Sequence, residues 1–360
     1  MAGRDYSAAL APFQRPLFRA MWIAVLVSNL GGWMQNVGAA WLMTSLSSSP
    51  VLVAMVQAAN TLPIFLLALP AGALADVLGS RKLLLADNLL SFVAVSVLAA
   101  LTLTGSVSPV SLLALTFVVG VGTALGGPAF QSSVSGLVSE AEVPSAVSLN
   151  SAGFNLARAV GPAAGGLIVA QAGAGANFVL NALSFIGVLF VLFRWREMAR
   201  NSVLPAERFV GAMRAGARYV VYAPALRTVL VRTAVFIIPG SAIWALLPVL
   251  VRELGRGPSV YGMLLGALGT GAIVGAALLD RFKHWASLNA LAVRATILFG
   301  AGTAAAAGVQ NLALLAIAMV AGGLAWMVLL TSMNVATRMV VARWVQARAL
   351  SVYLLSLIHI

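Results

Sequence analysis

Three ionisable side chains, Asp76, Arg81 and Lys82, fall within seven positions of the stretch GALADVLGSRKLLL, in a 360-residue chain of which only 9% is charged. Four more, Asp87, Arg158, Arg232 and Arg294, lie inside long apolar runs. Carboxamides recur on neighbouring turns, with Asn29, Gln35 and Asn36 in one run and Gln57 and Asn60 in the next. Such groups bind ions and exchange hydrogen bonds, but they build neither a nucleophile nor a metal centre. The chain has no cysteine, which removes thiolate chemistry and zinc–thiolate sites. Its two histidines, His284 and His359, give no imidazole ligand set. No glycine-rich loop ending in Lys-Ser/Thr offers a cradle for nucleotide phosphates. We therefore expect no enzyme activity, no cofactor and no metal.

The elements that carry these groups are read from the apolar pattern. Hydrophobic residues make up 61% of the chain, and the mean hydropathy is +1.00. A soluble domain has about 25% charged residues. Runs of about 20 apolar residues, the length that crosses a ~30 Å hydrocarbon core, recur throughout. They predict an all-α integral membrane protein. Ten complete spans are expected, at roughly 20–43, 51–75, 83–104, 109–133, 146–171, 176–193, 226–251, 259–280, 286–307 and 311–336. An eleventh starts near Ala347 and is too short to cross. The first span is expected to insert uncleaved, since no signal-peptide pattern precedes it.

The net charge of +13 is distributed by side rather than by patch. With the N-terminus placed in the cytoplasm, sixteen basic residues fall on that side, Arg15, Arg81, Lys82 and Arg194 among them. Only Arg252 and Arg256 fall opposite. That asymmetry follows the positive-inside rule and accounts for the charge without nucleic acid. The connection 194–225 separates an N-terminal half, 1–193, from a C-terminal one, 226–360. Phe209, Val210, Met213, Ala217 and Val220 recur there at helical spacing among arginines. An amphipathic helix on the membrane surface fits that pattern, as does a plain linker rich in topology-setting arginines. SSSPVLVAMV and GRGPSVYGML stand at corresponding places in the two halves, as internal repeats do.

Several stretches resemble one superfamily. GALADVLGSRK resembles the cytoplasmic loop motif between helices 2 and 3 of the major facilitator superfamily, matched at Gly72, Leu74, Asp76, Gly79, Arg81 and Lys82. Val77 and Ser80 stand where that motif is often basic. ARAVGPAAGGLI is similar to the Gly-Pro-x-x-Gly-Gly motif of the superfamily's antiporters. FNLARAVGP, LVSEAEVPSAVSLNSAG and YGMLLGALGTGAIVGA resemble the branch that holds the enterobactin exporter and macrolide efflux proteins. The resemblance implies two six-helix halves around a central cavity, here with the second half incomplete. It also implies a multi-pass protein of the inner or plasma membrane. Its activity would be secondary active export of a small amphipathic compound, drug- or siderophore-like, by alternating access. The partners are then a small-molecule substrate, the lipid bilayer and a coupling proton. TFVVGVGTALGG lacks the arginine that many proton antiporters carry in helix 4, so a coupling proton would need another route. A non-transporting receptor or scaffold on the same fold, or an inactive fragment, are the alternatives. The ending LSLIHI, Leu355 to Ile360, reads as a translated sequencing adaptor, which fits an incomplete second half.

Three groups of site residues follow. The resemblance makes Gly72, Asp76, Gly79, Arg81 and Lys82 a conformational latch, with Asp76 facing the region Gln346–Leu350 at the start of helix 11. A carboxylate at the negative end of its own helix needs such a cationic or N–H-rich neighbour. Arg81 is expected to meet Glu140 or Glu142. Gly161, Pro162, Gly165 and Gly166 form either a hinge or a closely packed, kinked helix. Asn29, Gln35, Asn36, Gln57, Asn60 and Arg158 line a cavity or join helices to one another. Arg158 is expected near Gln35 or Asn155, whereas Asp87 and Arg232 are expected to snorkel. Trp33, Trp41 and Trp244 are cavity walls or interfacial belt residues.

Overall fold

The computed structural model of the chain describes residues 9–195 and 222–340. The 196–221 stretch proposed as an amphipathic helix, the region Gln346–Leu350 and the ending Leu355–Ile360 lie outside the described residues. Among the described residues the structure is helical, with no strand. The helices are α1 (Pro16–Leu46), α2 (Pro50–Leu78), α3 (Ser80–Leu103) and α4 (Pro109–Ser133), followed by one long helix, Val143–Arg194. Then come α7 (Pro224–Glu253), α8 (Pro258–Trp285), α9 (Leu288–Gly308) and α10 (Leu312–Val340).

Local sequence marks where these helices begin. Proline stands in the first turn of α1, α2, α4, α7 and α8, where its missing N–H removes only a donor that would be orphaned anyway. Ser108 caps α4 by accepting from the Ser111 amide at 3.2 Å, and Ser287 accepts from Ala290 at the start of α9. The Asn311 carboxamide oxygen does the same for Ala313 and Leu314 at the start of α10. Gly79, between α2 and α3, has φ 84°, a conformation that a side chain makes costly.

Among the described residues nine helices are long and apolar enough to cross a membrane. Ten spans were expected, and the difference lies in Val143–Arg194. Its 52 residues would extend about 78 Å at 1.5 Å per residue, far beyond a bilayer core. Gly173 interrupts it with φ 78° and ψ 169°. That position falls between the two spans read from the sequence. No polar loop separates them: QAGAGANF turns the chain at Gly173, where two helices meet across a kink. We denote 143–172 as α5 and 174–194 as α6.

The chain divides into two compact units, one comprising Met1–Arg200 with Gly257–Gly262, the other Asn201–Arg256 with Met263–Ile360. In the first unit α1 packs along α5 and α6, α4 packs on both α2 and α3, and α3 also meets the α5–α6 helix. One end of this unit is closed by an apolar core that includes Phe18, Met21, Leu83, Leu84, Val188, Leu192 and Trp195. In the second unit α9 packs on α10, and α7 packs on both.

Candidate functional site

The seam between α1, α5 and α6 is built from small residues and carboxamides. Lipid tails are as apolar as leucine, so helices in a bilayer associate through close packing and interhelical hydrogen bonds. A Cβ added at Gly165 would lie 2.7 Å from the Met34 Cα, and one at Gly161 would lie 2.6 Å from the Trp33 Cβ. Gly31 and Gly38 make the same room on α1 for Asn181 and Asn177. The Asn177 Nδ2 donates to the carbonyls of Met34 (2.9 Å) and Gly165 (3.1 Å), and so ties three helices together. Asn181 donates to the Gln35 Oε1, and the Ser184 hydroxyl donates to the Asn181 carbonyl at 2.7 Å. Gln35, only 3% exposed, is therefore a helix-joining residue here rather than part of an open lining. Sequence reasoning missed Asn177, Asn181 and Ser184. Their spacing of four and three places them on one helical face, a polar stripe in an apolar span that was available as a signal.

Next to this seam the structure brings Arg158 onto Trp33. The guanidinium carbon lies 6.0 Å from the indole centroid, a cation–π arrangement. Phe154, one turn earlier on α5, meets Trp33 edge-on, with ring centroids 6.3 Å apart. Asn29, Trp33 and Asn36 follow one another along a single face of α1, and both amides are half-buried. Arg158 does not pair with the amides expected for it. The Asn155 side chain donates to the Ser151 carbonyl of its own helix, and Gln35 bonds Asn181. An arginine near the centre of a span costs about 2.5–3.5 kcal/mol on insertion scales, so it is retained for a reason. Gln57 and Asn60 sit on α2, half-buried, on the helix that packs against α4. The Asn60 carbonyl oxygen would lie 2.6 Å from a Cβ added at Gly120 of α4.

The α5 motif serves two neighbours. Gly161 and Gly165 face α1, while Gly166 and the Pro162 carbonyl face Gly262, within the Gly257–Gly262 segment of the same unit. The helix runs through Pro162 unbroken, and its one non-helical residue is Gly173.

At the α2–α3 loop the structure corrects the expected pairing. The Arg81 Nε donates to the Leu192 carbonyl at 2.9 Å and its Nη2 to that of Phe193 at 3.3 Å. Glu142 pairs instead with Arg15 at 3.4 Å and accepts from the Ser139 hydroxyl. Arg81 is at the unfavourable end of its own helix for a cation, but it reaches the carbonyl end of α6, where a cation is favoured. Ser80 bonds Ser132 across the α3–α4 seam at 2.7 Å, and Lys82 is exposed. Gly72 and Asp76 belong to the last turns of α2. Asp87 does not snorkel. Its carboxylate accepts from the Ser91 hydroxyl at 3.3 Å and fills the space left by Gly122 and Gly126 of α4. Arg232 is exposed and donates to the Asn289 side-chain oxygen.

The second unit has a different interior. Phe236, Trp244, Phe299 and Trp326, from α7, α9 and α10, form one aromatic cluster, with Trp244 and Trp326 centroids 4.4 Å apart. Phe236, Phe299 and Trp326 are buried, so these rings are core rather than membrane belt. Trp41, in the first unit, stacks on Tyr261 at 6.3 Å.

A bundle of membrane-length helices with a polar, cationic face in one unit fits a multi-pass membrane transporter of the major facilitator type. The chain belongs to the transmembrane secretion effector family of that superfamily, which it matches over residues 7–358. It is 29% identical over 290 residues to the multidrug efflux pump Tap of Mycolicibacterium fortuitum, covering 77% of this chain and 70% of that one. It is 25% identical over 277 residues to the staphyloferrin A transporter of Staphylococcus aureus (strain NCTC 8325 / PS 47), covering 75% and 68%. Among solved structures, a point mutant of the nucleoside transporter NupG superposes with a TM-score of 0.76 at 11% identity, covering 95% of this chain and 87% of that one. A bacterial homolog of the human lysosomal transporter Spinster, inward-facing and unoccupied, gives 0.72 at 15% identity, covering 96% and 80%. At such identities these structures bear on the fold alone.

Proposed function

We infer that the protein exports a small amphipathic compound across the plasma membrane by alternating access, with its N-terminus in the cytoplasm. The observation that carries this reading is the polar face in the first unit, where Arg158, Trp33, Asn29 and Asn36 sit at mid-span in a chain of the secretion effector family. Drug-like and siderophore-like solutes are both represented among the relatives by name. Gln57 and Asn60 contribute to the same lining from α2. The chain works as an N-terminal half of six helices, 1–193, and a C-terminal half, 226–360, joined by 194–225. Gly161, Pro162, Gly165 and Gly166 let α5 bend during the cycle, and Gly72, Asp76, Gly79, Arg81 and Lys82 act as a cytoplasmic latch. The Arg81 bonds to α6 support that role by fixing the loop on its own unit. A proton supplies the driving force.

Accumulation of fluorescent efflux substrates in cells with and without the full chain tests this reading. Lower accumulation with the protein, restored by a protonophore, is expected. Equal accumulation across a panel of cationic, neutral and anionic dyes would remove it. Cysteines placed at Ser47 and Lys82 should label from opposite sides of the membrane, with Lys82 reached from the cytoplasm.

A further inference from the structure

Arg158 lies near the middle of α5 and Trp33 near the middle of α1. None of the nine acidic residues of the chain falls on α1, α5 or α6. Among the described residues, no carboxylate comes within ion-pair distance of the Arg158 guanidinium and no acceptor within hydrogen-bond distance. The indole face of Trp33 attracts the charge but accepts none of the five N–H donors in the usual in-plane sense. An arginine cannot escape by losing its proton. The other half-buried charges described in this unit are matched: Arg81 by the Leu192 and Phe193 carbonyls, Asp87 by the Ser91 hydroxyl and Glu142 by Arg15. A half-buried, permanently charged fork without an acceptor is the exception, and it needs an anion.

Its surroundings narrow the chemistry of that anion. The guanidinium presents a planar pair of donors suited to a carboxylate or another oxyanion. Beside it stands a flat aromatic surface, Trp33 with Phe154 against it. Asn29 and Asn36 flank Trp33 on the same face of α1 and, among the described residues, engage no partner of their own. Lipid headgroups lie at the faces of the bilayer, roughly 15 Å from its middle, so the anion that reaches this depth is carried by a solute. We propose that Arg158 and Trp33 form an anion subsite, at which the oxyanion of an amphipathic solute binds the guanidinium while its apolar body lies on the indole. Asn29 and Asn36 hydrogen-bond further polar groups of that solute. This subsite rests on the export reading and names the class of substrate that the reading leaves open.

The test is equilibrium binding, so that it stands apart from transport. Full-length protein in phosphatidylcholine nanodiscs is titrated with dansylglycine and with dansylglycinamide, which differ only in carboxylate against amide. Fluorescence anisotropy should show the acid binding the unmodified protein about tenfold to a hundredfold tighter, the range expected for a charge-assisted hydrogen bond. Arg158→Gln should bring the two affinities together by weakening the acid alone, and Arg158→Lys should keep part of the preference. Trp33→Leu should weaken both probes and leave their ratio unchanged, which keeps the proposal testable if Arg158→Gln does not insert. Equal affinities in the unmodified protein, no binding of either probe, or a preference that survives Arg158→Gln would overturn the subsite. Loss of the preference in phosphatidylglycerol nanodiscs would assign the site to a lipid headgroup and overturn it as well. A protein that shows the preference but exports nothing would refute the export reading and leave the subsite standing.

Discussion

The two units solve the same problem, holding helices together in a solvent that gives them no hydrophobic push, with different chemistry. In the first, Asn177, Asn181, Ser184 and Gln35 stitch α1 to α5 and α6. In the second, Phe236, Trp244, Phe299 and Trp326 interlock α7, α9 and α10. Both rely on glycine for backbone approach, Gly31, Gly161 and Gly165 in one and Gly271, Gly275 and Gly323 in the other. Amides hold helices in a defined register, and they leave the neighbouring face free to carry a charge. Rings supply contact area. The first unit is thus suited to present Arg158 at a fixed depth, and the second to serve as a packed aromatic body.

The largest effect expected from breaking this comparison is common to both units. Gly165→Val would drive side-chain atoms into the Met34 backbone, and Gly271→Val would drive them into the Val320 carbonyl. Each should exceed the roughly 1–3 kcal/mol typical of overpacking, because backbone cannot yield as a side chain does. Fluorescence-detected size exclusion should show little folded protein for either. Gly32→Ala and Gly300→Ala, which have open space at the added carbon, should look unmodified. Equal behaviour of all four variants would mean that glycine packing holds neither unit.

Next in size is Trp326→Ala, which removes the ring shared by three aromatic contacts. A loss of about 3–5 kcal/mol is expected, read from denaturant melts in detergent. Asn177→Leu should cost less, about 1–2 kcal/mol, since membrane hydrogen bonds are individually modest. If Asn177→Leu proved the more damaging, the contrast between stitched and interlocked units would fail. The smallest effect is that of Arg81→Ala, about 0.3–1 kcal/mol, from loss of a cation at the carbonyl end of α6. Its signature is faster amide exchange confined to the last turn of α6.

Much of this was legible in the sequence, because the strongest signals were local. Apolar run length gave the helices. The gap read between the spans 146–171 and 176–193 contains Gly173, the one non-helical residue of Val143–Arg194. What the sequence withheld was pairing. Arg81 had two plausible acids nearby in the same half, yet it bonds carbonyls on α6, more than a hundred residues away. Glu142 went to Arg15 by the same logic of tertiary proximity. Gln35 and Asn36 are adjacent in sequence but differ in fate, because a helix turns about 100° between them and only Gln35 faces α6. The aromatic cluster was invisible, since its members come from three helices and each alone resembles a membrane-belt residue.

The central claim is that a mid-span cationic face in the first unit serves export. The most direct measurement is the rate at which cells preloaded with dansylglycine lose it, compared among the unmodified protein, Arg158→Gln and no protein, at matched membrane abundance. The account predicts rapid loss only with the unmodified protein, with Arg158→Gln slowed about tenfold or more toward the protein-free rate. Loss by Arg158→Gln as rapid as by the unmodified protein would contradict it.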